Sequence, residues 1–378
     1  MSTSPITART ESAVKDRYAA AARQSEAALC CPVDYDKRYL EIIPAEVIEK
    51  DYGCGDPSRY VKPGETVLDL GSGTGKICFI AAQVVGAAGK VIGIDMTDDM
   101  LEVARRNAPI VASRLGFANV EFRKGRIQDL ALDLQKLDEA LRGQPIRDLS
   151  SFLAADEIAA DLRVRAPLVA TDSIDVVVSN CVLNLVEARA KRQLFEEIHR
   201  VLKPGGRAVI SDIVAAREVP SHLQADPTLW SGCISGALTE SGFLEAFRAA
   251  DFYGIEILKR DEEPWRVVEG IEFRSVTVRA YKEPVGMDTG QNHKAIYLGP
   301  FKSVVDDHGR QFERGRVQEI GERACQLLSG EPYAQHFAIV EIKGAGSIDL
   351  IKISPYVASG PKLAAEKLNS CCSPKECC

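Results

Sequence analysis

The sequence predicts an α/β protein: a doubly wound, mostly parallel sheet followed by a small α+β unit near the C-terminus. Three observations predict it. Between residues 61 and 213, short runs rich in Val, Ile and Leu alternate with helix-length segments, as βαβ units do. A glycine-rich loop joins the first run to the first helix, and an aspartate closes the second run. Beyond 213 come two long strand-like segments in succession, then a short strand–helix–strand stretch.

In chain order, residues 1–60 read as an N-terminal helix and a cysteine loop. Val14, Tyr18, Ala21, Ala22 and Leu29 fall near helical spacing and predict an amphipathic helix over 10–29. The loop runs from Cys30 and Cys31 to Tyr52-Gly53-Cys54-Gly55. The core, 61–213, offers five strands: TVLDL (66–70), KVIGID (90–95), NVEFRKG (119–125), IDVVVSN (174–180) and RAVISDI (207–213). Helical patterns occupy 98–115 and 187–202, and LKPGG (202–206) precedes the fifth strand. Residues 129–172 carry two helix-like stretches and no strand, and read as an insertion before the fourth strand. Residues 214–282 form the substrate region that completes the sheet. A helical section with Trp230 and Cys233 leads there to an antiparallel pair, GIEILKR (254–260) and FRSVTVRAYK (273–282). EPVGMDTGQN (283–292) reads as a linker. The small C-terminal α+β domain, 293–355, places strands near KAIYLG and HFAIVEIK around a helix at 317–328. Residues 356–378 form a flexible cysteine-rich tail ending CCSPKECC.

A net charge of −7 argues against nucleic acid and anionic membranes as partners. No apolar run approaches the ~18 residues of a membrane span, and the N-terminus lacks the apolar core of a signal peptide. The expectation is a cytoplasmic monomer whose thiols stay reduced. Its 11 cysteines in 378 residues fall well short of the roughly 8–10% of a disulfide scaffold, so some of them should be chemical.

The loop VLDLGSGTGK (67–76) places Asp69, Gly71, Ser72, Gly73, Thr74 and Gly75 between the first strand and its helix. Glycines there let the backbone turn sharply and approach a ligand closely. The pattern is G-x-G-x-G rather than the dinucleotide G-x-G-x-x-G. Asp69 would repel a pyrophosphate and suits the cationic amino-acid end of a ligand. Asp95, 20 residues after Gly75, stands where a carboxylate takes ribose hydroxyls. Met96, Gly125, Ile127, Asn180 and Val182, at the ends of later strands, complete the candidate cofactor set. Together with LKPGG, these residues look like the S-adenosylmethionine site of the Rossmann-like class I methyltransferases. A tight turn with no ligand is the bland alternative, and the combination of loop, Asp95 and strand order argues against it.

Cys181 follows the fourth strand and Cys233 lies in LWSGCISGAL after the fifth, both on the rim where ligands bind in open α/β sheets. Cys54 sits between glycines in DYGCGD, and Cys30 and Cys31 are adjacent. Zinc commonly shows CxxC or paired-His spacing, absent here, and hard cations want carboxylates. Four thiol positions around one cleft suit a soft thiophile, and a trivalent three-coordinate one such as As(III) matches three converging thiolates. Cys78, within KICFIAA, and Cys325 read instead as small buried hydrophobes.

These stretches resemble the arsenite S-adenosylmethionine methyltransferases. YGCG, DLGSGTG, GIDMT (93–97), VVSNCVLNL (177–185) and LWSGCISGAL look like that family's signatures in its order, and the likeness extends through FRSVTVRAYK, AIYLGP, GRVQEI and YAQHFAI. The resemblance implies that Cys181 and Cys233 hold arsenic throughout. It implies that Cys54 and one of Cys30 or Cys31 join in binding and form disulfides. It further implies arsenite and methylarsenite as substrates, methylated arsenicals as products, detoxification as the role, and a thiol reductant of the glutathione or thioredoxin type. Two other readings compete: a methyltransferase of a small organic acceptor such as a quinone or sterol, and a non-catalytic thiol-based metalloid binder.

Overall fold

The computed structural model describes residues 6–24, 26, 33–284, 293–343 and 347–352. The chain divides into two units, Met1–Gly286 and Met287–Cys378.

In the first unit, α1 (Ile6–Arg23) precedes the short helices α2 (Lys37–Leu40) and α3 (Ala45–Glu49). The sequence-predicted alternation follows as β1 (Thr66–Leu70), α4 (Lys76–Val85), β2 (Lys90–Asp95), α5 (Asp98–Leu115) and β3 (Val120–Lys124). After α6 (Leu134–Leu141) and α7 (Leu149–Arg165) come β4 (Ile174–Asn180), α8 (Ala188–Val201) and β5 (Leu202–Ala215). Helices α9 (Ser221–Gln224), α10 (Pro227–Ser231) and α11 (Glu240–Arg248) lead to β6 (Phe252–Arg260), β7 (Arg266–Val268) and β8 (Ile271–Lys282).

The strands form one sheet of order β3-β2-β1-β4-β5-β8-β6, with β7 on β8. β1 to β5 are parallel, and β8 runs antiparallel to β5, β6 and β7. This is the mostly parallel, doubly wound sheet expected from the sequence. Because side chains alternate along a strand, β1 sends Val67 into a core with Ile77, Phe79 and Leu101 on one face. It sends Leu68 and Leu70 into a core with Leu194, Phe195 and Phe247 on the other. The strand order reverses between β1 and β4, and that reversal opens a crevice beyond their carboxyl ends.

In this unit the main differences from the sequence expectation are two boundaries and one added strand. The N-terminal helix spans Ile6–Arg23 rather than 10–29. Beyond its end the Tyr52 hydroxyl donates to Ala21 O at 3.2 Å and accepts from Glu26 N at 2.9 Å, which satisfies the chain without another turn. Leu29 lies outside the described residues. LKPGG is the first part of β5 rather than its prelude, and Gly205 absorbs the bend at φ 78°. β7 was not anticipated.

The second unit has a four-stranded antiparallel sheet of order β12-β9-β13-β14. Its strands are β9 (His293–Tyr297), β12 (Val317–Ile320), β13 (Phe337–Lys343) and β14 (Ser347–Lys352). A hairpin pairs β10 (Ser303–Val305) with β11 (Gln311–Glu313), and α12 (Glu322–Ser329) covers a core with Ala295, Phe312, Ile320 and Leu328. The helix expected at 317–328 is therefore a strand and then a helix. Val317–Ile320 pairs with β9, and extended Gly321 caps the start of α12. Most of the expected linker, 285–292, lies outside the described residues, as does the cysteine-rich tail. No helix among the described residues is long and apolar enough to cross a membrane.

Candidate active site

The loop after β1 is strapped to the end of β2. The N–H groups of Gly71 and Ser72 both donate to Ile94 O, at 2.8 and 2.9 Å. Gly71 adopts φ 71°, and a Cβ there would stand 2.4 Å from Val182 Cγ1, so only glycine lets the loop pass the β4 turn. At Gly73 nothing lies within 4 Å of a would-be Cβ, which leaves its backbone open to a ligand. Asp95 is oriented by two amides, Gly73 N to Oδ2 at 2.9 Å and Thr97 N to Oδ1 at 2.8 Å. Burial holds its carboxyl above the usual range despite those bonds.

A cavity opens here. Gly71, Gly73, Asp95, Met96, Gly125 and Ile127 line one side, and Cys181, Val182, Leu185 and Val186 line the β4 side. Glu11, Val14 and Tyr18 of α1, with Asp51, Tyr52 and Trp230, complete the wall.

The other expected cofactor residues stand off that lining. Thr74 Oγ1 donates to Val47 O at 2.9 Å. Ser72 is 3% exposed and packs beside Gly93. Gly75 is the left-handed cap of α4. Asp69, 2% exposed, lies beneath the loop and accepts the Cys78 thiol at 3.2 Å. Burial pushes its pKa up to about 7, and the nearby carboxylates of Asp51 and Asp95 push the same way. Lys76 answers Asp51 at 2.6 Å. A buried field of this sign, beside an open glycine backbone and an oriented carboxylate, fits a ligand with a cationic end and hydroxyls, as S-adenosylmethionine has.

Cys181, Cys233 and Cys54 meet in one buried cluster with Ile213, Ile234 and Phe273. Cys181 and Cys233 both have positive φ, 63° and 62°, a conformation that a β-carbon disfavours and that concentrates at functional sites. The Cys181 amide donates to Ser211 O at 2.8 Å, which ties the turn to β5. Asn180 draws the distant Cys54 loop in: its Oδ1 accepts from Cys54 N at 2.9 Å and Gly55 N at 3.0 Å, while its Nδ2 donates to Gly55 O at 2.8 Å. Ser275 Oγ holds Cys54 O at 2.7 Å.

Sulfur atoms of Cys54 and Cys181 and a carboxylate oxygen of Asp212 lie within 4.8 Å of one another. Cys233 stands outside that group; its thiol donates to Cys181 O at 3.0 Å and lies 3.9 Å from the Tyr18 hydroxyl. Cys30 and Cys31 lie outside the described residues. On either side of them, Glu26 is bonded to Tyr52 and Tyr35 donates to Gly55 O at 3.1 Å, so both flanks reach the Cys54 loop. Cys78 is buried under the donor loop, and Cys325 is half-buried in the second unit.

Sequence reasoning passed over three residues here. Tyr18 counted only as a helix-packing residue, yet it lines the cavity and touches Cys233. Asp212 is a lone acid in the apolar run of β5. Burial pushes its carboxyl up to about 6, against the opposing charge of Lys191. Lys191 is a lone charge on the buried face of α8; burial pulls it down to about 8, while Asp212 and Cys233 oppose that shift.

The family described as methyltransferase domain matches residues 61–259, and a domain of unknown function matches 285–365. The arsenite methyltransferase of Aquipseudomonas alcaligenes is 33% identical over 321 residues, covering 80% of this chain and 81% of that protein. The arsenite methyltransferase of Homo sapiens is 28% identical, covering 90% of this chain and 88% of that protein. Among solved structures, an arsenic (III) S-adenosylmethionine methyltransferase from Chlamydomonas reinhardtii superposes with a TM-score of 0.56 at 27% identity, over 83% of this chain and 98% of that one.

Proposed function

The chain belongs to the arsenite S-adenosylmethionine methyltransferases, and we propose that it methylates trivalent arsenic held by Cys181, Cys233 and Cys54 beside the donor cavity. One observation carries this reading: the three thiols share a buried cluster, and Cys181 also lines the cavity.

Arsenite enters as As(OH)3. Each thiol that binds it forms an S–As bond, and its proton leaves with a hydroxide as water, so no external base is consumed. Cys233 gives up its bond to Cys181 O in this exchange. Soft thiolates suit arsenic and leave its lone pair free. S-adenosylmethionine, when bound, supplies an electrophilic methyl group on a sulfonium. Gly71, Gly73 and Asp95 position that donor, and the cysteines position the acceptor; such alignment is worth about 7–11 kcal/mol. Methylation takes arsenic formally to the pentavalent state. The thiol of Cys30 or Cys31 then attacks the arsenic-bound sulfur of Cys54 and loses its proton; the S–As bond breaks with its electron pair left on arsenic, which is trivalent again, and a cellular thiol of the glutathione or thioredoxin type reopens the disulfide. That need for reductant supports a cytoplasmic location.

Labelled donor, arsenite and excess thiol test the reading against its rivals. Label in arsenic supports it. Transfer to an organic acceptor with no thiol dependence would favour the quinone or sterol type, and arsenite binding without turnover would favour a metalloid binder.

Asp95→Ala is expected to weaken donor binding about 10–100-fold, as loss of a charge-assisted hydrogen bond of ~1.5–3 kcal/mol does. It also frees Gly73 N and Thr97 N. Arsenite binding should hold, because no thiol is touched. Titration calorimetry with each ligand checks this, and a parallel loss of both would sink the separation of the two sites.

Donor binding should also expel a proton below pH 7. Asp69 stands at about 7 in the free protein and is therefore largely protonated at pH 6. A cationic ligand favours its carboxylate, so affinity rises with pH and levels off above about 7. Calorimetry at pH 6 in buffers of different ionisation enthalpy counts that proton. No release, or the same release from Asp69→Asn, would count against the role of Asp69.

A further inference from the structure

Lys191 is a charge where its helix should carry an apolar residue. On α8 the buried stripe continues through Leu194, Phe195, Ile198 and Val201, and Lys191 begins it at 7% exposure. Its ammonium donates to Leu183 O at 2.8 Å and to Gly236 O at 2.9 Å. Leu183 lies in the turn of Cys181 and Gly236 in the turn of Cys233, so one ammonium ties the two cysteine turns together.

The surrounding bonds act in the same sense. Asp212 accepts from Leu183 N at 2.8 Å, from Asn184 N at 3.3 Å and from Asn184 Nδ2 at 2.8 Å, and Asn184 Nδ2 also reaches Cys233 O at 3.3 Å. Trp230 Nε1 donates to Leu185 O at 3.0 Å. The turns approach so closely that a Cβ on Gly236 would stand 1.9 Å from Asn184 O.

We propose that Lys191 is a positioning residue of the arsenic site, the brace that sets the separation of the Cys181 and Cys233 turns. The inference rests on the assignment of Cys181 and Cys233 as arsenic ligands. Two thiols that must close on one atom need their backbones fixed relative to each other. Each turn holds its cysteine at positive φ, from which an unbraced turn would relax. An ammonium with three donors on a long stem can reach carbonyls of two separate turns, which a shorter side chain or one without N–H donors could not do at once. The charge of Asp212 offsets the burial of that ammonium.

A purely electrostatic role, neutralising Asp212, is the alternative to separate. The probe is phenylarsine oxide, a trivalent arsenical that binds two thiols. It is titrated into full-length chain in which Cys30, Cys31, Cys54 and the tail cysteines are replaced by Ser, leaving Cys181 and Cys233 as the site. Lys191→Met should weaken the probe about 10–100-fold, the range for loss of a residue that orients ligands. Lys191→Met combined with Asp212→Asn should be equally weak, although no unpaired charge remains buried. S-adenosylmethionine affinity should fall less than probe affinity in both, since Gly71, Gly73 and Asp95 keep their places while only the Val182 side of the donor cavity belongs to the braced turn. Should Lys191→Met alone fail to fold, the double variant carries the comparison. Parental probe affinity in the double variant would overturn the inference and leave Lys191 a counter-charge. The Cys181→Ser and Cys233→Ser controls must lose the probe. If they retain it, the arsenic-site assignment has failed, and with it the premise rather than the brace.

Discussion

Cys181→Ser and Cys233→Ser are each expected to abolish methylation of arsenite and of methylarsenite alike, by about 100-fold or more, as happens when a reacting group is no longer held in place. Serine is a near-isostere that isolates the sulfur. Both substitutions keep a β-carbon at positive φ, so the backbone is neither relieved nor further strained. A serine hydroxyl at 233 can still donate to Cys181 O, as the thiol does at 3.0 Å, so the contact between the turns survives. What disappears is a soft, acidic ligand, and a hard hydroxyl does not replace it on arsenic. Product formation on both substrates, in excess reductant, is read beside donor binding and thermal unfolding. Substantial turnover of either substrate by a folded Cys233→Ser would remove that residue from the site.

Much of the fold was legible because its signals are local. β1, β2 and β4 fall where buried apolar runs end at Gly, Asp or Asn, and α5 lies between Thr97 and Gly116, its N-cap and C-cap, a start and stop written in the sequence. Cys181 and Cys233 could be placed on the rim by their positions after strands. Their left-handed backbone could not, since no neighbouring residue announces it. The approach of Cys54 was equally hidden: it depends on Asn180, 126 residues away, whose amide Nδ2 would stand 2.2 Å from a Cβ at Gly53. Lys191 and Asp212 did leave a trace, each a charge in an apolar pattern. Their meaning depends on which turns the charges reach, and that is tertiary. Asp69 is a different case. An acid beside a glycine loop reads as a ligand contact, but the strand turns it under the loop onto Cys78, where its influence on a bound cation is exerted through its charge. At 317–328 the helical pattern concealed a break at Gly321, and pairing with β9 claimed the residues before it.

The Cys54 thiol should behave differently from the other two, because arsenic changes its valence capacity during the reaction. As(OH)3 offers three exchangeable positions for thiolates, whereas methylarsenite has one occupied by carbon and offers two. If Cys181 and Cys233 hold arsenic through every step, the third position of arsenite falls to Cys54, whose sulfur lies within 4.8 Å of that of Cys181. Cys54→Ser is therefore expected to lose the arsenite reaction by about 100-fold, as for any reactant released from its aligned position, while retaining much of the methylarsenite reaction. Replacing Cys30 and Cys31 together should have the same selective effect. The substitution leaves the loop in place, because Cys54 is fixed through its backbone, by Asn180 at its N–H and Ser275 at its carbonyl. Both substrates are assayed with excess reductant, so that reopening a disulfide does not limit the rate. Equal loss of the two activities in a folded, donor-binding Cys54→Ser would show that Cys54 serves every methylation, and that the division between permanent and transient arsenic ligands is wrong.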